Sequence, residues 1–290
     1  MAGMDGNLKV IRWMVTMRAR NLGYRCEEVT PEVLAVTGAD GQRQDLPLGP
    51  LTRAATRLPR SEWMAAINEF LNMTLNPASR DDEGLDALRP LLRTKLVVEE
   101  AAQQRKAVYG EFGQDLVEGL VIDRALTMEW VTEKRAAGWP AERYELLRWG
   151  RENVRAAGRL DVRAVEVSGA PVTVLSGDDY ASTHLYWLDE YGLVGQHGTL
   201  VSVPNRTTVL AAPIVAGTNG FDHLHPMVQL TMSMYEDAEF PLMPRIYHWD
   251  ADIMEALDQV LGAALLQPTG DQLAVIVNPA FQESQEALDR

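Results

Sequence analysis

Short runs rich in Val, Ile, Thr and Leu recur along this chain with only three to five residues between neighbours. A parallel crossover needs a dozen residues or more, so such connections restrict the strands they join to antiparallel pairing. Ala107–Phe112 and Leu116–Asp123 are joined through Gly113 and Gln114, and Val162–Val167 and Val172–Leu175 turn at Ser168, Gly169 and Ala170. Thr199–Val203 and Thr207–Ala212 turn at Pro204, Asn205 and Arg206. Near the start, Glu28–Thr37 and Arg43–Leu48 flank Gly38, Ala39, Asp40 and Gly41, residue types that supply positive φ in hairpins. Ile246–Trp249 and Leu273–Val277 read as later strands.

Helical periodicity lies between these hairpins. Leu8, Ile11, Val15 and Leu22 share one stripe that Gly23 stops, and Ser61 is placed to cap a helix carrying Trp63, Ile67, Phe70, Leu71 and Thr74. Further helices are expected over Leu85–Ala102 despite Pro90, after Trp139–Pro140 with Leu147, Gly150 and Val154 on one face, and over about Tyr180–Tyr191, Leu224–Asp237 and Asp252–Leu265. Helices and hairpins mix without strict strand–helix alternation, which predicts an α+β fold with mainly antiparallel sheets. The polar stretch Asn76–Gly84 reads as a linker. It separates a small N-terminal helix-hairpin-helix unit, residues 1–78, from a larger α+β domain, residues 85–290.

Charge divides unevenly between these parts. Residues 1–75 hold nine Lys or Arg and eight Asp or Glu, whereas residues 76–290 hold 18 and 33, so the larger part carries −15 of a formal net charge of −14. That field repels phosphate backbones and anionic headgroups within a Debye length of about 8 Å. Another protein is therefore the expected partner, with neither nucleic acid nor membrane. The single cysteine, Cys26, excludes an internal disulfide or a cysteine-rich zinc site. No stretch reaches the roughly 18 apolar residues of a membrane span, and a cytoplasmic location is expected.

The strong catalytic signatures are missing: no Gly-Lys-Ser/Thr phosphate loop, no Gly-x-Gly-x-x-Gly, no His-Glu-x-x-His and no Gly-x-Ser-x-Gly. Asp178 and Asp179 stand between a strand and a helix, where one carboxylate is expected to cap the first turn for about 0.5–2 kcal/mol. The alternative is that the pair holds a hard cation. Asp222, His223 and His225 could ligate a divalent metal from extended backbone, although a helix-entry surface is the commoner use. No other cofactor is expected. Ser182 and His184 read as a polar helix face, the seven tryptophans as core anchors, and the helix after His225, apolar on two sides, as sandwiched in a core.

Val121–Arg124 with Met128 and Val131, the segment Ser-Gly-Asp-Asp-Tyr-Ala-Ser at Ser176–Ser182, and Leu-Val-Ser-Val-Pro-Asn-Arg at Leu200–Arg206 resemble the YtpQ-like family of uncharacterised bacterial proteins. The likeness spans about Leu8–Trp249. It implies a cytoplasmic bacterial protein without an assigned activity and singles out Asp178, Asp179, Tyr180, Asn205 and Arg206. Arg206 and Arg245 are the only fixed cations among twelve carboxylates between Ser176 and Asp258, so each is expected to pair with an acid, Arg206 with Asp178 or Asp179. The resulting expectation is a non-catalytic protein-interaction module of adaptor or chaperone-like kind. A divalent-metal hydrolase and a toxin-neutralising or defence-associated protein are the alternatives.

Overall fold

Ile11, Val15 and Ala19 recur every fourth residue and are fully buried, so one stripe of the opening segment faces a core as helix α1 (Ala2–Asn21). The computed structural model describes residues 2–39, 41–56, 58–75, 83–124, 128–238, 240–269 and 272–288. These form two compact units, Met1–Leu88 with Ile122–Glu129, and Arg89–Val121 with Trp130–Arg290. Most of the expected linker, through residue 82, lies outside the described residues, as does Asp40 of the expected turn.

In the first unit, Gly23 at φ +91° ends α1, and the chain returns through β1 (Arg25–Thr30), β2 (Val33–Thr37) and β3 (Arg43–Pro47), an antiparallel meander in that order. Helices α2 (Leu48–Thr56) and α3 (Trp63–Leu75) follow. Leu34, Val36 and Leu46 of the sheet pack with Leu51, Ile67 and Leu71 of these helices in one core. The expected single strand over Glu28–Thr37 is two strands, because Glu32 turns back with its N–H donated to Thr30 Oγ1 at 3.3 Å. Helix-hairpin-helix is thus corrected to a helix, a three-stranded meander and two helices. Ser61, the expected cap, lies in a 3₁₀ turn, Arg60–Glu62, that leads into α3.

The single helix expected over Leu85–Ala102 does not form. Pro90 cannot continue a helix, and the segment becomes α4 (Leu85–Leu88), β4 (Leu92–Val98) and α5 (Glu99–Gln104). Then come the hairpin of β5 (Tyr109–Gly113) and β6 (Leu116–Asp123), β7 (Met128–Trp130), α6 (Glu133–Ala136) and α7 (Arg143–Ala157). Glu142 and Glu145 close a capping box at the start of α7, and Leu146, Leu147, Gly150 and Val154 are its buried side. Gly150 is required by contact: a Cβ there would sit 2.7 Å from Thr94 Cγ2 and 3.1 Å from the Arg93 carbonyl carbon of β4.

The second unit is organised by a seven-stranded antiparallel sheet ordered β14-β13-β12-β10-β11-β9-β8. Its strands are β8 (Asp161–Val167), β9 (Ala170–Ser176), β10 (Thr199–Asn205), β11 (Thr208–Pro213), β12 (Arg245–Trp249), β13 (Leu261–Thr269) and β14 (Gln272–Val277). The central strands are buried on both faces. Leu200, Leu210 and Ile246 point into one core with Met227 and Val228 of α8 (Gly220–Glu236) and Phe281 of α10 (Pro279–Leu288). Val201, Val203 and Tyr247 point into the other, with Leu185 and Leu188 of a 3₁₀ segment, Ala181–Tyr191, and Leu96 and Phe112 of a smaller sheet ordered β4-β6-β5 with β7 also paired to β6. The helix α8, apolar on two sides, accordingly lies on the sheet. The fold is α+β with antiparallel sheets.

One further segment departs from the reading. The helix expected over Asp252–Leu265 is α9 (Ala251–Leu257), capped by Asp250 and stopped at Asp258 with φ +55°, followed by β13. Leu, Ala and Gln in β13 are good helix formers, and pairing with β12 and β14 on either side overrides that propensity. The tryptophans are corrected too. Only Trp63 and Trp249 are buried, and Trp13 is 63% exposed. Arginine guanidiniums cover the half-buried Trp130, Trp139, Trp149 and Trp187 at 4.2–5.9 Å from the ring centre, so these four rings sit nearer the surface beneath cations, while Trp63 and Trp249 are the core anchors.

Helix propensity alone favours Ala over Gly by about 1 kcal/mol. At position 150 the clash with β4 reverses the sign, and Gly150→Ala is expected to destabilise the protein by about 1–3 kcal/mol, measured by urea unfolding.

Candidate functional site

Arg148, Arg151 and Arg155 are spaced three and four apart, which puts them on one side of α7, beside its buried stripe, with Arg151 nearest to it. They face Tyr186, Trp187 and Asp189 of the 3₁₀ segment and Met254, Glu255 and Asp258 of α9 and its cap, across an open cleft of about 550 Å³. Val194 and Trp249 complete its floor.

Beneath the cleft lies a buried carboxylate. Glu118 is fully buried in β6 among Leu116, Val117, Leu120 and Val121. Arg151 answers it with a two-pronged bond, Nε to Oε1 at 2.8 Å and Nη2 to Oε2 at 2.7 Å. Arg151 Nη1 donates to Asp258 Oδ2 at 2.7 Å, the left-handed turn at Asp258 bringing that carboxylate to the end of α9. Tyr186 donates its hydroxyl to Glu118 Oε2 at 3.1 Å, and its ring lies 3.9 Å beneath the Arg151 guanidinium.

Burial pushes the Glu118 carboxyl up from its ordinary value, against the pull of the Arg151 charge. Burial would lower Arg151, but the bonds and charge of Glu118 hold it above its ordinary value. The Tyr186 phenol is driven up by burial and then by Glu118, so it stays protonated as a donor. The other cations are also answered. Arg148 meets Glu152 at 3.4 Å, and Arg155 pairs with Glu190 while lying 5.6 Å from the centre of Trp187. With three arginines and four carboxylates, Glu152, Asp189, Glu255 and Asp258, the lining is close to neutral over an aromatic floor. Such a surface suits an apolar anchor flanked by charges of both signs.

The residues singled out in sequence lie elsewhere. Backbone pairing brings the Ser176–Tyr180 and Asn205–Arg206 segments together: Thr208 pairs with Ser176, and Gly177 N–H donates to the Thr207 carbonyl at 3.0 Å. Asp178 accepts the Tyr180 N–H at 2.9 Å and so starts the 3₁₀ segment, while Asp179 is exposed. Tyr180 is buried, with the ammonium of the fully buried Lys95 5.9 Å from its ring centre. Asn205 Oδ1 accepts the Thr207 N–H at 3.0 Å. The expected bond from Arg206 to Asp178 or Asp179 is not formed among the described residues. The 204–206 turn sits against 241–242, where Leu242 N–H donates to the Pro204 carbonyl, and Arg206 lays its guanidinium 4.3 Å from the centre of Phe240 instead. Arg245 does find an acid, Asp115 Oδ2 at 2.6 Å.

The metal reading is corrected by helix geometry. His223 and His225 sit inside α8, where residues two apart project to opposite sides: His223 is buried and His225 exposed. Asp222 Oδ2 accepts the Asn219 N–H in the capping box of that helix. Among the described residues no three His, Cys, Asp or Glu side chains are grouped to hold a metal ion. Ser182 and His184 are no polar surface either. Ser182 Oγ accepts the Leu96 N–H at 3.0 Å, and His184 Nδ1 meets Tyr191 Oη at 2.7 Å, both side chains being buried.

Sequence reasoning missed the cleft. The available signals were the lone carboxylate within Leu-Val-Glu-Gly-Leu-Val-Ile and the arginine spacing on a well-marked helix. No protein-family model, curated protein or solved structure matches this chain. Among the described residues no helix is long and apolar enough to cross a membrane.

Glu118→Gln leaves Arg151 buried with half its partner gone and is expected to cost about 3–5 kcal/mol in urea unfolding. The double variant Glu118→Leu with Arg151→Met is expected to cost less than that single change, because no buried charge is left over. Burial lowers the imidazole pKa of His184 against the charges of Asp178 and Glu190, and that of His223 against Asp222. Unfolding restores a pKa of about 6.5, so the stability these neutral rings contribute is complete above that pH and declines as pH falls through the lower folded values. Urea unfolding between about pH 7 and 5 is expected to show this decline, with a shallower slope in His184→Asn.

Proposed function

We propose that this chain is a non-catalytic protein-interaction module, of adaptor or chaperone-like kind, whose docking cleft lies between α7, the 3₁₀ segment and α9. The observation that carries the reading is the state of the arginines. Arg151 commits Nε and Nη2 to Glu118, Nη1 to Asp258 and the flat face of its guanidinium to the Tyr186 ring, and Arg148 and Arg155 have carboxylates of their own. A phosphate receptor presents an open guanidinium fork. This cleft instead presents Trp187 and Val194, backed by the buried Trp249 and Met254, between neutralised charges, a surface matched to a peptide with one large apolar anchor. The acidic surplus beyond residue 75 supports a protein partner over a nucleic acid. Membership of the YtpQ-like family is part of this proposal and adds no activity to it.

Selection of peptides on the whole chain is expected to return sequences sharing a Leu, Phe or Trp anchor. Val194, 39% exposed on the cleft floor, gives the clean variant: Val194→Asp is expected to weaken the selected peptide about tenfold or more while unfolding changes by about 0.5 kcal/mol or less. Peptides without a common anchor, or an affinity indifferent to Val194→Asp, would remove the reading.

A further inference from the structure

An edge strand exposes a row of unpaired N–H and C=O groups, and proteins commonly guard such rows with charged side chains. This chain does so at its other outer strands. Arg25, Glu27 and Glu28 lie on β1, Arg43 and Asp45 on β3, Arg93 and Lys95 on β4, Glu111 on β5, and Asp161, Arg163 and Glu166 on β8 at the far edge of the large sheet. β14, Gln-Leu-Ala-Val-Ile-Val, is the exception: it is an edge strand with no charged residue and no proline. Leu273, Val275 and Ile276 on it are 39–51% exposed, a composition and exposure that favour strand addition.

The backbone parity of that edge is determined. Asn278 N–H donates inward to the Ala263 carbonyl, so counting back by twos Ile276, Ala274 and Gln272 also bond to β13. On β13 the complementary set, Leu266 and Pro268, faces the other way: Leu266 N–H donates to the Pro244 carbonyl, and Pro268, which has no N–H, needs no partner there. Leu273, Val275 and Val277 therefore direct both their N–H and C=O groups outward. Those three residues are self-complementary. An antiparallel copy with Val275 opposite Val275 places Leu273 opposite Val277 twice and uses every outward group of the strand. The charge distribution points to the same occupant. Two copies of a chain at −14 repel across most of their surfaces, and this uncharged edge is where they meet without opposing carboxylates.

We propose that β14 pairs with β14 of a second copy about a two-fold axis at Val275, joining two seven-stranded sheets into one continuous sheet. Contact limited to one strand pair and its flanking side chains is small, so the dimer is of the weak class with concentration-dependent assembly. Sedimentation velocity of the full chain over about 1–100 µM is expected to show the mass rise from 32.2 kDa toward twice that value. Ile276→Lys is expected to stay monomeric throughout with an unchanged circular dichroism spectrum. Val162→Lys, on the opposite edge strand β8, is expected to dimerise as the unaltered chain does.

A cysteine pair tests the register. In a Cys26→Ser background, Val275→Cys places two Cα atoms about 5.5 Å apart, inside the disulfide window of about 4.4–6.8 Å, and is expected to cross-link on mild copper-phenanthroline oxidation. Ile276→Cys, which faces Ala274 of the other copy, is expected not to. A chain monomeric at every concentration, a dimer that survives Ile276→Lys, or equal cross-linking at both positions would overturn the proposal.

Discussion

A carboxylate removed from water has to be answered by a cation, and in the second unit that requirement fixes four elements at once. Glu118 stands in the middle of a buried strand, and the guanidinium that answers it comes from α7. The same guanidinium reaches the end of α9 and rests on a tyrosine of the 3₁₀ segment. Each of these contacts is directional, so the walls of the cleft have little freedom to move apart without stranding a buried charge. Arg151 is thereby consumed as a structural tie. What the cleft leaves open is the aromatic floor and the neutralised rim.

Around that tie, burial on both faces governs the large sheet. Alternate residues of β10 and β11 enter two separate cores, one under α8 and α10 and the other under the 3₁₀ segment and the small sheet. Continuous apolar runs such as Val209–Ala212 follow from this, because no face of the strand meets water. Burial falls away toward the edges, where side chains must instead decide whether another strand can join. The charges on β8 and their absence on β14 give the two ends of one sheet opposite characters.

Local chemistry made much of this legible. Glycine at positive φ, the turn at Ser168–Gly169 and the capping box at Glu142–Glu145 depend on neighbours within a few residues, so the helix α7 and the β8–β9 and β10–β11 hairpins could be placed from sequence. The site was less accessible. Asp178 as a turn-forming acid was readable from its place before Tyr180, whereas the partners of Arg206 and of His223 were not. Arg206 meets a phenylalanine 34 positions away, and His223 is separated from His225 by the turn of a helix that begins earlier than its apolar stripe suggested.

By itself the sequence determined the antiparallel character of the sheets, the places of the longer helices α1, α3, α7 and α8, and the concentration of the negative surplus in the residues after the first 75, since each follows from residue type, spacing and count. Only the tertiary structure decided that Leu261–Thr269 is a strand, that Leu92–Val98 joins a sheet after Pro90, and that Glu118 and Arg151, 33 positions apart, share one bond network. The reason is the range of the forces involved. Turn and cap preferences act between neighbours and are written locally, while pairing of an ambiguous segment and neutralisation of a buried charge depend on what the rest of the chain brings alongside.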